Sequence, residues 1–311
     1  MQFWPRRRAE REYPRIRRWP ALKVIKPLAV GGYKAGMTHC LVIDKRPNSP
    51  TKGEQISIPT TIVECPPMVL CGVRFYKNAP EGKKTVTQLS MENPKKDLSR
   101  KISLPKKTKT WDTIPEWDDL VILVHTQPRK TGIGKKKPEV FEIALGGSKE
   151  EKLAYAKEKL GKEISLQDVF KNGQIVDVHA VTTGRGFVGA VKRFGVAIRH
   201  HKSEKSRRVA IIGPEGYAKV KHTVCQHGKK GYNLRTTYNL QMILLSDKVE
   251  QVNQSGGINR YGMIKNPYVL LKGSVPGPKK RFVLLTEPIR PDKTMDTRPM
   301  EISYISSASK Q

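Results

Sequence analysis

The residues best placed to do chemistry lie between 181 and 235. Gly184-Arg-Gly186-Phe-Val-Gly189 fits G-x-G-x-x-G, a spacing that lets backbone close around the pyrophosphate of a dinucleotide. That use needs a preceding strand, a helix opening at the motif, and an acid about 20 residues on to hold the ribose. A strand is predicted before it, but Lys192-Arg-Phe-Gly-Val196 is a poor helix former, and Glu204 is the one acid between 190 and 214. A kinase loop would need H-R-D and D-F-G, and a P-loop G-x-x-x-x-G-K-[ST]; the chain has none of these. What remains is glycine that lets backbone approach something closely, with Arg185 and Lys192 making phosphate the expected neighbour.

His222-x-x-Cys225-x-His227 is tight for a tetrahedral metal site, and the lysines between 219 and 230 oppose a cation. The four cysteines (Cys40, Cys65, Cys71, Cys225) form no C-x-x-C, so neither a zinc ribbon nor a redox pair is signalled. There is no G-x-S-x-G, no H-E-x-x-H and no paired-carboxylate constellation. The expectation is therefore no cofactor, no metal, no small-molecule substrate and no catalysis.

Charge points elsewhere. The 311 residues carry 59 Lys+Arg against 28 Asp+Glu, a formal +31 that a polyanion would relieve. Residues 1–27 hold nine Lys/Arg, two Glu and four prolines, with Trp4, Tyr13 and Trp19 interleaved. A solvated tail needs no aromatics; Arg6, Arg7 and Arg8 suit phosphates, and Trp19 suits a base. Residues 184–235 hold thirteen cations against Glu204 and Glu215, a net +11. Its candidate RNA contacts are Arg185, Lys192, Arg193, Arg199, Lys202, Arg207, Arg208, Lys219, Lys221, Lys229, Lys230 and Arg235, with His200 and His201 facing RNA or solvent. Long structureless loops are usually functional, and this one cannot bury itself. Lys272-Gly-Ser-Val-Pro-Gly-Pro-Lys-Lys-Arg281 adds Lys272, Lys279, Lys280 and Arg281 on a Pro/Gly frame, as a solvated hairpin loop or a phosphate-gripping turn.

These residues must be carried by a mainly β chain with an α+β insertion. Short β-rich runs occur at Thr38–Ile43, Ile58–Val63, Val69–Phe75, Ile175–Val181, Leu240–Leu245, Tyr268–Leu271 and Phe282–Leu285, between turn clusters such as Cys65-Pro-Pro67. They suggest a barrel or sandwich that the chain starts, leaves and rejoins. The division expected is a basic arm (1–27), a β core (28–76 and 171–290), an inserted α+β subdomain (77–170), an extended loop within the core (184–235) and a C-terminal tail (291–311). In the insertion a strand is expected at 120–125, and a helix at 148–160 is marked by the Ser148/Glu151 capping box and by Gly161 as its stop. The longest aliphatic run, Leu120–Val124, is far short of a spanning helix. With no amphipathic membrane helix either, a soluble intracellular protein is expected.

Four stretches together resemble the ribosomal protein L-three family of the large subunit, in its archaeal and eukaryotic form. They are Gly32-Tyr-Lys-Ala-Gly-Met-Thr-His39, Val181-Thr-Thr-Gly-Arg-Gly-Phe-Val-Gly-Ala-Val-Lys-Arg-Phe-Gly195, Gly231-Tyr-Asn-Leu-Arg-Thr236 and Lys272–Arg281. They follow the family's order and span most of the chain. The resemblance implies a translation-protein-type β-barrel with an inserted α/β subdomain, and a long extension running through rRNA toward the peptidyl transferase centre. It further implies a basic arm in rRNA, an early role in assembly, and a cytoplasmic place in the ribosome beside neighbouring large-subunit proteins. Lys34, inside the first matching stretch, joins the expected rRNA contacts. At the tip of the extension, where the family carries Trp, this chain has Glu215, and Tyr217 is the aromatic expected to touch rRNA. The competing reading from the glycine triplet is a nucleotide-dependent RNA-modifying enzyme.

Overall fold

The computed structural model describes residues 3–105, 109–210, 212–213 and 219–308. Strand β1 (Ala29–Ile43) begins nine residues before the run Thr38–Ile43 that signals it. Its first half is glycine-bearing, and Gly31 and Gly32 are there for closeness. A Cβ on Gly31 would sit 2.5 Å from the Phe282 ring, and one on Gly32 would sit 2.6 Å from Cys65 Sγ. β2 (Gln55–Glu64) pairs antiparallel with β1 from Tyr33↔Glu64 to Ile43↔Gln55.

The chain then leaves. β3 (Met68–Ala79), β4 (Gly82–Ser90), β5 (Asp119–His125) and β6 (Val140–Ala144) form a second antiparallel sheet in the order β4-β3-β5-β6. A short helix, α1 (Lys96–Ser99), follows β4, and helix α2 (Lys149–Lys159) follows β6. The capping box of α2 is reciprocal: the Glu151 amide donates to Ser148 Oγ, and the Ser148 amide donates to Glu151 Oε2 at 2.8 Å. Ala156 is buried and Leu153 and Leu160 pack on the core, as their spacing requires. β7 (Glu163–Ile164) returns beside the start of β3.

The run Val69–Phe75, expected within the β core at 28–76, thus belongs to the second sheet, where β3 lies between β4 and β5. The prolines of Cys65-Pro-Pro67 lack the N–H groups that would continue the first sheet. β3 is buried along most of its length, so composition could not separate it from a strand of the first sheet.

The first sheet resumes with β8 (Ile175–Val181). β9 (Phe187–Val188), helix α3 (Ala190–Phe194) and β10 (Gly228–Lys229) interrupt it. It continues with β11 (Leu234–Ser246), β12 (Tyr268–Lys272), β13 (Phe282–Thr286) and β14 (Glu301–Ile305). Pairings run β1-β2-β12-β11-β8-β13 and back to β1, so the sheet closes into a six-stranded antiparallel barrel. Between barrel and sandwich, this closure selects the barrel. β1 is long enough to meet β13 at Ala29–Tyr33 and β14 at Cys40–Ile43 along one edge. The expected tail 291–311 therefore contains a paired strand.

One hydrophobic cluster spans both sheets. Tyr33 meets Phe282 edge-on at 5.7 Å, Phe282 meets Phe141 of β6 at 5.2 Å, and Phe75 meets Trp117 at 5.2 Å. Such pairs add about 0.5–1.5 kcal/mol each beyond area burial. The loop before β12 is pinned by the fully buried Glu64. Its Oε1 accepts the Lys265 and Asn266 amides (2.9 and 3.0 Å) and Asn266 Nδ2 (2.7 Å), and its Oε2 accepts the Tyr261 hydroxyl.

Candidate nucleic-acid interface

The glycine motif lies just past β8, where the barrel opens into the basic excursion. Gly184 to Gly186 run antiparallel to Lys230–Tyr232: the Arg185 amide donates to Lys230 O and the Lys230 amide to Gly186 O, both at 2.9 Å. Gly231 has φ +74°, and a Cβ there would lie 2.0 Å from Thr183 O, so only glycine lets the two strands cross so closely. A helix does open at the motif, contrary to expectation, with Gly189 as N-cap and Gly195 (φ +71°) as its stop. It is five residues long and no acid in its first turn faces a ribose. The glycines serve chain crossing, and the nucleotide reading loses its geometry.

Arg193 and Lys230, expected to face RNA, also hold the excursion together. Arg193 donates from Nε to Lys229 O at 3.1 Å and from Nη1 to Gln226 O at 3.0 Å, while Lys230 Nζ donates to Lys192 O. Arg185, Lys192, Arg199, His200, His201, Lys202, Arg207, Arg208, Lys219, Lys221 and Lys229 are exposed. His200 and His201 rings lie 4.1 Å apart. Beyond α3, among the described residues, Ile198 and Val209 form an isolated antiparallel bridge. Tyr217 and Glu215 lie outside the described residues.

The basic arm is laid against the body, which its composition did not reveal. Trp4 stacks on Phe194 (5.4 Å, 17°), with His222 edge-on to it at 6.5 Å. Arg6 lies over the same Phe194 ring at 4.4 Å and donates from Nη1 to Arg193 O at 2.6 Å. The Ala9 amide donates to Tyr232 O (2.8 Å), and Asn233 Nδ2 donates to Arg7 O (2.6 Å). Arg7 and Arg8 remain exposed, with Arg8 5.7 Å from the Tyr232 ring centre. Tyr13, Ile16 and Trp19 pack on the hydrophobic cluster. Trp19, expected to stack on a base, is half-buried against protein, and Tyr13 of the same arm lies 6.3 Å from Phe141 of β6 in the second sheet.

Lys34 is the clearest departure. It is 8% exposed, and its ammonium donates to Val275 O (2.6 Å) and Gly277 O (3.2 Å). Burial, and then the charge of Lys279, push its pKa down. It props up the 272–281 turn from inside. That turn joins β12 to β13 and presents Lys279 and Lys280 outward, with Lys279 Nζ on Asn259 O at 2.7 Å. Lys272 and Arg281 are half-buried, and Arg281 lies over Tyr232 at 5.2 Å. Sequence reasoning missed Phe194, Tyr232 and Asn233, the seats of the arm. Phe194 before a helix-stopping glycine is the one local hint.

His179 is buried between Thr286 Oγ1 (3.1 Å) and Thr236 Oγ1 (2.8 Å), and burial lowers its pKa against the opposing pull of Asp177. Among the described residues no group of His, Cys, Asp and Glu could hold a metal ion, and no helix is long and apolar enough to cross a membrane.

Comparison with known proteins agrees with the motifs. The model of the family described as ribosomal protein L3 matches residues 1–112 and 116–311. The large ribosomal subunit protein uL3 of Methanobrevibacter smithii is 44% identical over 99% of this chain and 96% of its own length. Those of Methanosphaera stadtmanae (45%, covering 99% and 96%) and Archaeoglobus fulgidus (42%, covering 100% and 96%) are similar to the same extent. These relatives bear the names of ribosomal proteins rather than of enzymes. With the match running from arm to last strand, the chain belongs to the ribosomal protein L3 family.

Proposed function

We propose that the chain is a structural component of the large ribosomal subunit, held there by large-subunit rRNA. The observation that carries this reading is how charge is separated over the surface. Carboxylates of the second sheet are already matched to cations: Arg74–Glu142, Lys77–Glu116 (3.0 Å), Lys83–Asp119 (2.6 Å), and Lys95 and Lys130 on Glu163 (2.9 and 3.0 Å). Among the described residues from 185 to 235, Lys221 apart, no Lys or Arg pairs with a carboxylate. Unmatched cations in an extended segment are what a phosphate backbone neutralises.

In this reading the arm (1–27) and the excursion (184–235) are the rRNA-contacting parts. The excursion runs toward the peptidyl transferase centre, with Tyr217 as its stacking residue at the tip. The barrel is of the translation-protein type and sits at the subunit surface, and the second sheet is its inserted subdomain. The protein acts early in assembly, in the cytoplasm, beside neighbouring large-subunit proteins, with no membrane or small-molecule partner. Arg6, Arg7, Arg8, Arg185, Lys192, Arg193, Arg199, Lys202, Arg207, Arg208, Lys219, Lys221, Lys229, Lys230, Arg235, Lys272, Lys279, Lys280 and Arg281 remain its proposed phosphate contacts; Lys34 leaves the set.

The test is co-sedimentation with large ribosomal subunits through a high-salt cushion. Stoichiometric retention is expected. Release of the chain at salt that leaves other subunit proteins bound would overturn the reading.

A further inference from the structure

Between the arm and the base of the excursion lies a cavity of about 340 Å³ lined by Arg6, Arg185, Lys230 and Arg235, with Thr182 and Thr183 in its wall. No acid lines it, and among the described residues none of its four cations is in an ion pair. We propose that this cavity takes a single phosphate of an RNA backbone, gripped jointly by the arm and the excursion. This rests on the rRNA-binding reading and adds to it one composite contact.

Three observations carry it. First, the wall is built rather than incidental. The paired 2.9 Å bonds between Arg185 and Lys230–Gly186 set two cation-bearing residues opposite each other, and the Gly231 crossing brings Thr183 backbone against them. The Thr182 amide donates to Asn233 O at 2.9 Å, and the Asn233 amide donates back to Thr182 Oγ1 at 3.1 Å. Second, the arm supplies one wall. Arg6 reaches the cavity because its guanidinium is seated on Phe194 and on Arg193 O, and the Arg7 carbonyl is held by Asn233. Third, the cations crowd one another. Arg235 lies over Phe3 at 4.5 Å, and burial together with the charge of Arg6 makes it a weaker base than a free arginine. Like charges gathered without an acid are relieved by an anion with several acceptor oxygens, and arginine forks match a phosphate. The backbone is the source favoured here, because exposed cations continue from the cavity along the arm (Arg7, Arg8) and along the excursion (Lys192, Lys229). A chain of phosphates would follow both.

The experiment measures affinity of the full chain for in vitro transcribed large-subunit rRNA across a salt series, with Arg6→Gln, Arg235→Gln and the double variant. Each single change is expected to weaken binding roughly tenfold. Two arginines on one phosphate are coupled, so the double variant should lose well under the roughly hundredfold of independent sites. The slope of log K against log salt should fall in magnitude by about 0.7–0.9, once and not twice. Arg6→Lys should restore most of the slope. Lys157→Gln/Lys159→Gln on α2 removes equal charge away from the cavity and should leave it unchanged. Thermal melts of all variants should match the parent. Additive losses with the slope falling twice would overturn the shared phosphate, as would unaltered affinity in every variant. Saturable binding of inorganic phosphate that Arg235→Gln abolishes without touching rRNA affinity would assign the cavity to free phosphate and overturn the proposal. A parent chain with no salt-sensitive rRNA affinity would overturn the functional reading itself, and the cavity with it.

Discussion

Removing residues 2–8 separates the arm's role from the barrel's. The deletion takes away the Trp4–Phe194 stack, the Arg6 guanidinium over the same ring, and the Arg6 bond to Arg193 O. An aromatic pair is worth about 0.5–1.5 kcal/mol, an exposed cation–π contact about 0.5–1, and a hydrogen bond from a charged donor about 1.5 at this half-buried site. Together the loss is about 2.5–4 kcal/mol, borne by the short helix α3 that carries Phe194. The bonds at the two ends of α3 report on it: the Arg193 amide to Gly189 O (3.0 Å) and the Gly195 amide to Val191 O (2.8 Å). Hydrogen exchange of the free full-length and truncated chains should show these amides opening roughly seventyfold to nearly a thousandfold more readily after truncation. Amides of β1 and β13 should be unchanged. Equal protection of α3 in both chains would refute the coupling. A rise spread over the whole barrel would instead make the arm part of the core. Truncation to residue 19 is a different perturbation, because it also strips Tyr13, Ile16 and Trp19 from the hydrophobic cluster and should lower the melting temperature.

Glu64→Ala removes the acceptor shared by four donors and leaves the buried Asn266 amide and Tyr261 hydroxyl without it, so it should cost about 3–5 kcal/mol in denaturant unfolding, whereas Tyr261→Phe should cost about 1–2; equal small losses would refute the anchoring role. At Glu163, burial raises the pKa, but bonds from Gln127, Lys95 and Lys130 outweigh it and hold it at about 2, against 4.5 for the ordinary group. Its folded-state pKa is depressed, so its stabilisation is complete above about 4.5 and is lost as pH falls toward 2. Glu163→Gln should therefore narrow its melting-temperature deficit relative to the parent over that window, and a constant deficit would refute this. At the excursion tip, Tyr217→Ala should weaken rRNA anchoring by the 1–3 kcal/mol typical of one stacked base, and Glu215→Trp should be tolerated or tighten it; a subunit map with Tyr217 away from all RNA would refute that assignment.

How much was legible followed from how local each determinant is. The α2 helix was readable because Ser148, Glu151 and Gly161 act within one turn of its ends. The barrel strands were readable from β-branched runs between turns. The assignment of Val69–Phe75 failed because pairing partners are chosen at long range, and Phe75 meets Leu120 of β5 rather than a barrel strand. β14 escaped notice since Glu301-Ile-Ser-Tyr-Ile305 is a short, half-polar edge strand placed by its register on β1. In the candidate interface, charge identified the excursion and arm as segments. It could not tell Lys34, whose carbonyl partners lie in the 272–281 turn, from lysines that face solvent. Nor could it foresee that Trp4 would find Phe194 rather than a base.

The double use of β1 also sets the order in which the chain can mature during synthesis. β1 ends at Ile43, but the strands that cover its second edge begin at Phe282 and Glu301. At about 5–20 residues per second, a ribosome takes roughly 10–50 s to make what lies between. Throughout that interval the second edge of β1 keeps bare N–H and C=O groups and the barrel stays open, while the second sheet, complete by residue 164, can already fold. The barrel side is thus both late and cationic, a state prone to wrong pairing and to capture by any nearby polyanion. A nascent-chain holder that shields residues 29–43 until the last strand emerges would meet the need this topology creates.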